Sequence, residues 1–347
     1  MAFGLKHILS WFFMAAGLMA CSLVDEDLRG CEQDCALDYE LQLVTNMTTE
    51  LQTQLSLAAD VALSTALETR MRSIFTDFAH DVDLSFYDVQ GDSLRLHHES
   101  HIMDASESSY TLYIPVRKYM HLAVANLADN RMVELVQGEK CHGAFFRQPD
   151  SDTLDCHKTG LFSARLLMDV KEGIDQQFDV SLYMVNCASS LVLDTLGSGI
   201  KDVRVFMSGF ATGFNLADST YRFDTSPVIR PEKINAEGDP SAPLCFTSVS
   251  FPSRDLPDSK VVIETEDPFT YEEAEAPLWL IYVYCTLADG SVTRTVLGVR
   301  RPLRPGQFTV IRAKAKTDGS ALPERESTVG VSITLGWTPG MHHEVVF

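Results

Sequence analysis

The chain has 347 residues, with 48 acidic against 28 basic side chains and a formal net charge of −20. A surface this acidic repels phosphate backbones and anionic headgroups, which excludes nucleic acid as a partner and electrostatic docking as the means of holding a membrane. The length suffices for two domains with real cores, and beyond the first twenty residues no stretch supplies the run of about 18 apolar residues that a bilayer-spanning helix needs.

Lys6 and His7 give a weakly basic start, and Ile8 to Met19 an apolar core of about a dozen residues, the layout of an export signal. Leu18-Met19-Ala20-Cys21 ends that core with a small residue just before a cysteine, which resembles a bacterial lipobox; Met19 stands where Ser, Thr or Val is usual. The lipobox implies that residues 1–20 are removed as a signal peptide and that Cys21 carries the lipid. The mature chain then has 347 − 20 = 327 residues and, with Lys6 gone, a charge near −21. Two or three acyl chains give durable anchoring at about 0.8 kcal/mol per buried methylene. The bland alternative is a plain secretory signal with an incidental cysteine. Residues 21–35 read as a tether, in which Asp25, Glu26 and Asp27 resemble the acidic export signal of surface lipoproteins in Bacteroidetes. The expected location is the outer face of the outer membrane.

Cys31, Cys35, Cys141, Cys156, Cys187, Cys245 and Cys285 remain, an odd number in a compartment that permits disulfides. Cys141 and Cys156, with fourteen residues between them, are the candidate disulfide. Cys31 and Cys35 lack the companion ligands that tetrahedral zinc requires.

In chain order, Leu37, Tyr39, Leu41 and Leu43 alternate as a first half-buried strand. Asn46, Thr48 or Thr49 caps a helix that Leu51, Leu55, Ala58, Ala62, Ala66 and Met71 carry to Arg72. Val82, Leu84 and Phe86 begin a run of strands, with a turn at Gln90-Gly91-Asp92 into Leu94 and Leu96, then strands at 110–114, 119–127 and 161–170. The span 138–155 lacks periodicity and reads as a long exposed loop. Lys171 to Gln177 is the expected linker between an N-terminal domain (36–176) and a C-terminal domain (177–347). Strands are expected at 178–184, 188–196, 203–207, 245–251, 260–265, 278–287, 293–299, 308–315 and 329–336, with 229–243 as loop and Asp289-Gly290 as a tight hairpin turn. About fourteen short strands and one helix specify an all-β protein of two tandem β-sandwiches.

No catalytic constellation emerges. Ser198-Gly199 and Ser208-Gly209 lack the frame of a nucleophile elbow, and no nucleotide-binding glycine loop is present. Asp88, Gly91 and Asp92 do not form a calcium loop. Strand alternation puts His97, Glu99 and His101 on one face, where a metal is conceivable but a solvated edge is commoner; His342 and His343 point to opposite faces. Trp279 and Trp337 sit in strand patterns and read as core. No cofactor or metal is expected.

The lipobox, the acidic tether and the run Asp27-Leu28-Arg29-Gly30-Cys31 through Cys35-Ala36-Leu37-Asp38-Tyr39 resemble the FimB/Mfa-type fimbrial anchor subunits of Bacteroidales. So do Asp83-Leu84-Ser85-Phe86-Tyr87-Asp88 with Gly91, and Val180-Ser181-Leu182; Met184-Val185-Asn186-Cys187 departs from the usual second-domain pattern. The resemblance implies transthyretin-like sandwiches, an outer-membrane lipid anchor, and a role holding a fimbria and limiting its length, with accessory or tip positions as variants. It implies fimbrial subunits as partners, joined by strand addition. The candidate exchange strand is the tail, where Met341, His343, Val345 and Phe347 share one face; the alternative is that the tail closes its own domain. A second class of function, a surface glycan-binding lipoprotein of a nutrient-uptake complex, requires exposed aromatic side chains gathered at one end.

Overall fold

The computed structural model describes residues 34–44, 61–75, 79–102, 109–195, 199–234, 242–254, 278–323 and 330–331. They form an all-β protein of four sheets with a single α-helix among the described residues, α1 (Val61–Ile74). A seven-stranded sheet runs in the order β3 (Arg95–Ile102), β2 (Asp81–Asp88), β5 (Lys118–Ala125), β9 (Phe162–Asp169), β10 (Gln177–Met184), β1 (Asp34–Val44), β4 (Ser109–Pro115). A four-stranded sheet of β14 (Thr220–Arg222), β13 (Gly213–Asn215), β7 (Phe145–Arg147) and β6 (Glu134–Val136) covers part of one face. A six-stranded sheet runs β16 (Glu232–Ile234), β17 (Leu244–Ser250), β11 (Cys187–Asp194), β20 (Phe308–Ala315), β21 (Ala321–Pro323), with β22 (Gly330–Val331) also on β20. Its partner is a five-stranded sheet of β19 (Val292–Val299), β18 (Trp279–Thr286), β12 (Asp202–Ser208), β15 (Val228–Arg230) and β8 (Thr153–Asp155).

Strand alternation assigns the side chains to three cores. On β2 and β5, Val82, Leu84, Phe86, Tyr119 and Ala123 face α1, while Tyr87, Leu122 and Val124 face Phe146 and Phe214 of the small sheet. The six-stranded sheet is buried on both faces. Ala188, Val192, Phe308 and Val310 join the core of α1, and Leu191, Leu193, Ile311 and Ala313 pack against Val205, Met207, Ile281 and Val283. This is why β11 is buried at every residue but its last, with no half-exposed alternation to read. The helix presents Leu63, Leu67, Met71 and Ile74 to its core, one stripe at spacings of three and four. Of the expected face, Met71 is fully buried in this core and Ala66 is half-buried, while Leu63 and Leu67 carry the stripe. Leu51, Leu55 and Ala58 lie outside the described residues. Glu232 on β16 takes Arg70 of the helix and Lys158, tying α1 to the six-stranded sheet.

Three expectations are corrected. The span 138–155 is not an exposed loop: it holds a 3-10 turn (Cys141–Gly143), β7 and β8, and buries Ala144, Phe146 and Leu154. Three-residue strands are too short to show alternation, and their partners are distant, β13 for β7 and β15 for β8. Lys171 to Gln177 is a turn within one sheet rather than a linker. Gln176 Nε2 donates to Asp169 O at 3.0 Å, Lys171 N donates to Gln176 Oε1 at 2.7 Å, and β10 pairs in parallel with β1 over seven residues. The strand expected to open the second half thus completes the first sheet, and the crossing between sheets falls at Val185-Asn186. The expected loop 229–243 likewise contributes β16 and the end of β15. The expected strand at 260–265 lies outside the described residues.

Asn186 secures that crossing. It is fully buried, accepts from Leu161 N at 3.1 Å, donates from Nδ2 to Thr159 O at 2.9 Å, and its own carbonyl accepts from Gly306 N at 2.9 Å. Asn186→Ala strands a buried N–H and a buried carbonyl, each costing about 1–3 kcal/mol. The expected loss is about 2–4 kcal/mol on that basis, read as a lower urea midpoint with an unchanged slope.

Candidate interaction site

Strand β3 is one edge of the seven-stranded sheet, bonded to β2 on one side. Its outer side is engaged at the start, where Arg95 N donates to Glu139 O at 2.8 Å and Leu94 bridges Lys140. The strand carries Leu96, exposed, and a polar run from His97 to His101. The structure brings His97, Glu99 and His101 together as alternation predicts. Glu99 Oε1 lies 2.6 Å from His97 Nε2, and Oε2 lies 2.8 Å from His101 Nε2. Partial burial pushes the Glu99 carboxyl up, but hydrogen bonds from both imidazoles outweigh it and hold the group below its ordinary value. The carboxylate thus fills the space between the rings, and no metal-holding cluster occurs among the described residues. On the opposite face His98 Nε2 lies 2.8 Å from Asp83 Oδ2, which also accepts from Ser100 Oγ and Gln137 Nε2. An edge strand with hydrogen-bonded polar side chains on both faces resists indiscriminate pairing while leaving its backbone to a partner with matching side chains.

The same sheet is split internally. β9 pairs with β5 along all eight residues and β10 with β1 along seven, but β9 and β10 pair with each other only at Phe162↔Met184 and Ser163↔Tyr183. Beyond that the strands part, and the Gln176 side chain closes the far end. Between them lies a groove of about 390 Å³, walled by Ala164, Leu166, Val180 and Met184 and floored by Phe214 and Tyr221. Tyr221 is fixed there by its hydroxyl, which donates to Val185 O at 2.7 Å. Arg165 reaches across to Ala217 O. Nothing in the sequence marked this groove, because it is made by a pairing that stops.

Cys141 and Cys156 are not joined. Both are free buried thiols, and β7 and β8 between them enter different sheets, leaving Cys141 against Phe146 and Cys156 against Leu154. Burial pushes both thiols above their ordinary value, and raises Cys245 to about 12. Cys21 and the tail residues Met341, His343, Val345 and Phe347 lie outside the described residues, as do Trp337 and His342. Trp279 is buried, its Nε1 donating to Arg301 O at 3.0 Å. Asp88 forms a turn, accepting from Gln90 N at 2.8 Å. Of the described aromatic side chains, the exposed large ones are Tyr113 on β4 and Tyr183 on β10, which lie on different strands and form no common platform.

No family model matches the chain, and no curated protein does. Solved structures do. A Bacteroides ovatus protein described as an adhesin superposes with a TM-score of 0.51 at 11% identity, over 81% of this chain and 90% of its own. A second adhesin of that species gives 0.49 at 9% identity, over 85% and 94%. The fimbrial anchor protein Mfa2 of Porphyromonas gingivalis gives 0.46 at 12% identity, over 83% and 95%. The chain shares the fold of the first of these.

Proposed function

We propose that the chain is a structural, non-enzymatic subunit of a surface fimbria, held at the outer membrane by lipid on Cys21 and bound to neighbouring subunits by strand addition. The observation that carries this reading is the edge of β3, which beyond Arg95 meets no further strand among the described residues and carries His97, Glu99 and His101 on one face and Leu96, His98, Ser100 and Ile102 on the other. Backbone bonds along such an edge supply affinity, and the alternating side chains supply selection. Here the imidazoles beside Glu99 and Asp83 would reward an incoming strand that keeps those hydrogen bonds and penalise one that displaces them. The shared fold with an adhesin of Bacteroides ovatus supports an adhesive role, and the sequence resemblance supports the anchor position and the limit on fibre length. The tail, with Met341, His343, Val345 and Phe347 on one face, is the segment this chain offers in return.

The lipid is the separable part. In cells carrying Cys21→Ala, protein and fibre are expected in the medium, because the acyl chains that hold the subunit are lost. Fibres that stay on the cells at the wild-type level would overturn the anchor.

A further inference from the structure

The five-stranded sheet packs one face on the six-stranded sheet, and its other face carries the half-buried and exposed positions of β12, β18 and β19. Strand register sets these positions in rows. Arg204, Tyr284 and Arg294 form one row, with Phe206, Tyr282 and Val296 on one side of it and Asp202, Thr286 and Val292 on the other. Arg294 lies over the Tyr282 ring at 5.3 Å, and Arg204 over that of Tyr284 at 6.0 Å. Phe206 meets Tyr284 edge-on at 5.9 Å, and Ser208 Oγ donates to the Tyr282 hydroxyl at 3.3 Å. At the rim Val292 is 51% exposed and Val296 40%.

Charge decides what such a face can take. In a chain of net charge −20, Arg230 on neighbouring β15 pairs with Asp155 at 3.4 Å, whereas Arg204 and Arg294 have no ion pair among the described residues. A guanidinium backed by an aromatic ring is held in place with its outward N–H groups free to take a carboxylate in two parallel bonds. Asp202 is the sole acidic member of the three rows. A second copy docking by the same face would therefore gather four guanidiniums against two carboxylates, which disfavours a two-fold contact. A sugar would find both tyrosine rings already covered by guanidiniums, and its hydroxyls would give Val292 and Val296 no apolar contact. Tyrosine, phenylalanine and arginine beside exposed aliphatic side chains are the composition of protein–protein contact centres. We infer that this face docks a protein surface bringing two carboxylates, about 10 Å apart as two strand spacings set them, to either side of an aliphatic patch.

The test places benzoylphenylalanine at Val296 of the full-length chain in its native cells, with irradiation and mapping of the product by mass spectrometry. A light-dependent product with one other protein is expected, at a segment that carries two acidic side chains. Arg204→Glu with Arg294→Glu should lower its yield at least tenfold, and replacing the two partner carboxylates by lysine should restore it. Arg204→Gln with Arg294→Gln, which adds no carboxylate beside Tyr284, should show the same loss. An unchanged urea midpoint of the purified variants separates that loss from unfolding. A yield indifferent to both arginine pairs overturns the inference. So does a product with a second copy or with polysaccharide, or one no greater than that from the same probe at Glu172, an exposed turn residue of the seven-stranded sheet. The inference involves neither strand addition nor the lipid, and the anchor is read from Cys21→Ala, so either can fail while the other stands.

Discussion

Trp279→Ala is expected to destabilise the fold by about 3–5 kcal/mol, the range for emptying a buried aromatic site. Trp279 is 1% exposed, on a strand bonded on both sides, to β12 and to β19, so the backbone has little freedom to close over a cavity. Its ring packs 5.7 Å from that of Phe210, and its indole N–H is the partner of Arg301 O, which the substitution leaves unpaired. The neighbouring chain is equally committed. A Cβ placed on Gly209 would meet Trp279 Cα at 2.7 Å, and Gly209 holds a φ of +99°. Gly209→Ala thus combines backbone strain with a backbone clash and should shift stability in the same direction. Urea unfolding followed by circular dichroism measures both. A sugar-stacking tryptophan on the surface would lose less than about 0.5 kcal/mol, so the size of the effect also separates core packing from glycan capture.

Acid is expected to weaken the fold well above the carboxylate range. His121 is fully buried, stacked on Phe86 at 4.2 Å, with Nδ1 3.1 Å from Ser85 O. His157 is also fully buried, edge-on to Phe251 at 4.9 Å, with Nδ1 lacking a partner among the described residues. Burial disfavours the imidazolium in both, bringing His121 down to about 4 and His157 to about 3. Unfolded histidines protonate near 6.5. Between those values the unfolded chain binds more protons, so the stability is complete above about pH 6.5 and falls as the pH drops towards the folded values. At about 1.4 kcal/mol per unit and group, pH 5 costs about 2 kcal/mol for each histidine and about 4 kcal/mol for the two. The measurement is the urea midpoint from pH 7.5 to 5 at fixed ionic strength. His121→Gln and His157→Gln should each remove about half of that slope, whatever they do to stability at neutral pH. A profile flat down to pH 5 would contradict the buried neutral state.

Strands such as β2 and β18 were legible because apolar residues alternate along them, and β11, β17 and β20 because they are short, largely apolar runs bounded by turn residues. Val82, Leu84 and Phe86 of β2, and the alternation of β18 from Trp279 to Cys285, occupy the positions their periodicity demands. The helix face was found at Met71 but drawn through Ala66 rather than Leu63 and Leu67, because alanine is compatible with either side. Sheet membership was hidden for a different reason. That β10 returns beside β1, or that β8 joins β15 across more than seventy residues, is a property of non-local pairing with no local signature. The expected Cys141–Cys156 bridge failed on the same ground, since proximity in sequence says nothing once β7 and β8 diverge into separate sheets. The His97, Glu99, His101 face was legible because strand alternation alone assembles it. The groove between β9 and β10 was not, because it depends on where a ladder ends.

The central claim is that this chain joins other subunits of a fibre at the cell surface. Its most direct test is chemical crosslinking of the intact protein in outer membranes of the native cell, followed by identification of what is joined to it. The account predicts fimbrial subunits in the crosslinked product, with linked peptides from β3 and the tail, and their loss from the membrane fraction with Cys21→Ala. Recovery of an outer-membrane transporter with bound oligosaccharide, and of no fimbrial subunit, would contradict it and favour glycan capture.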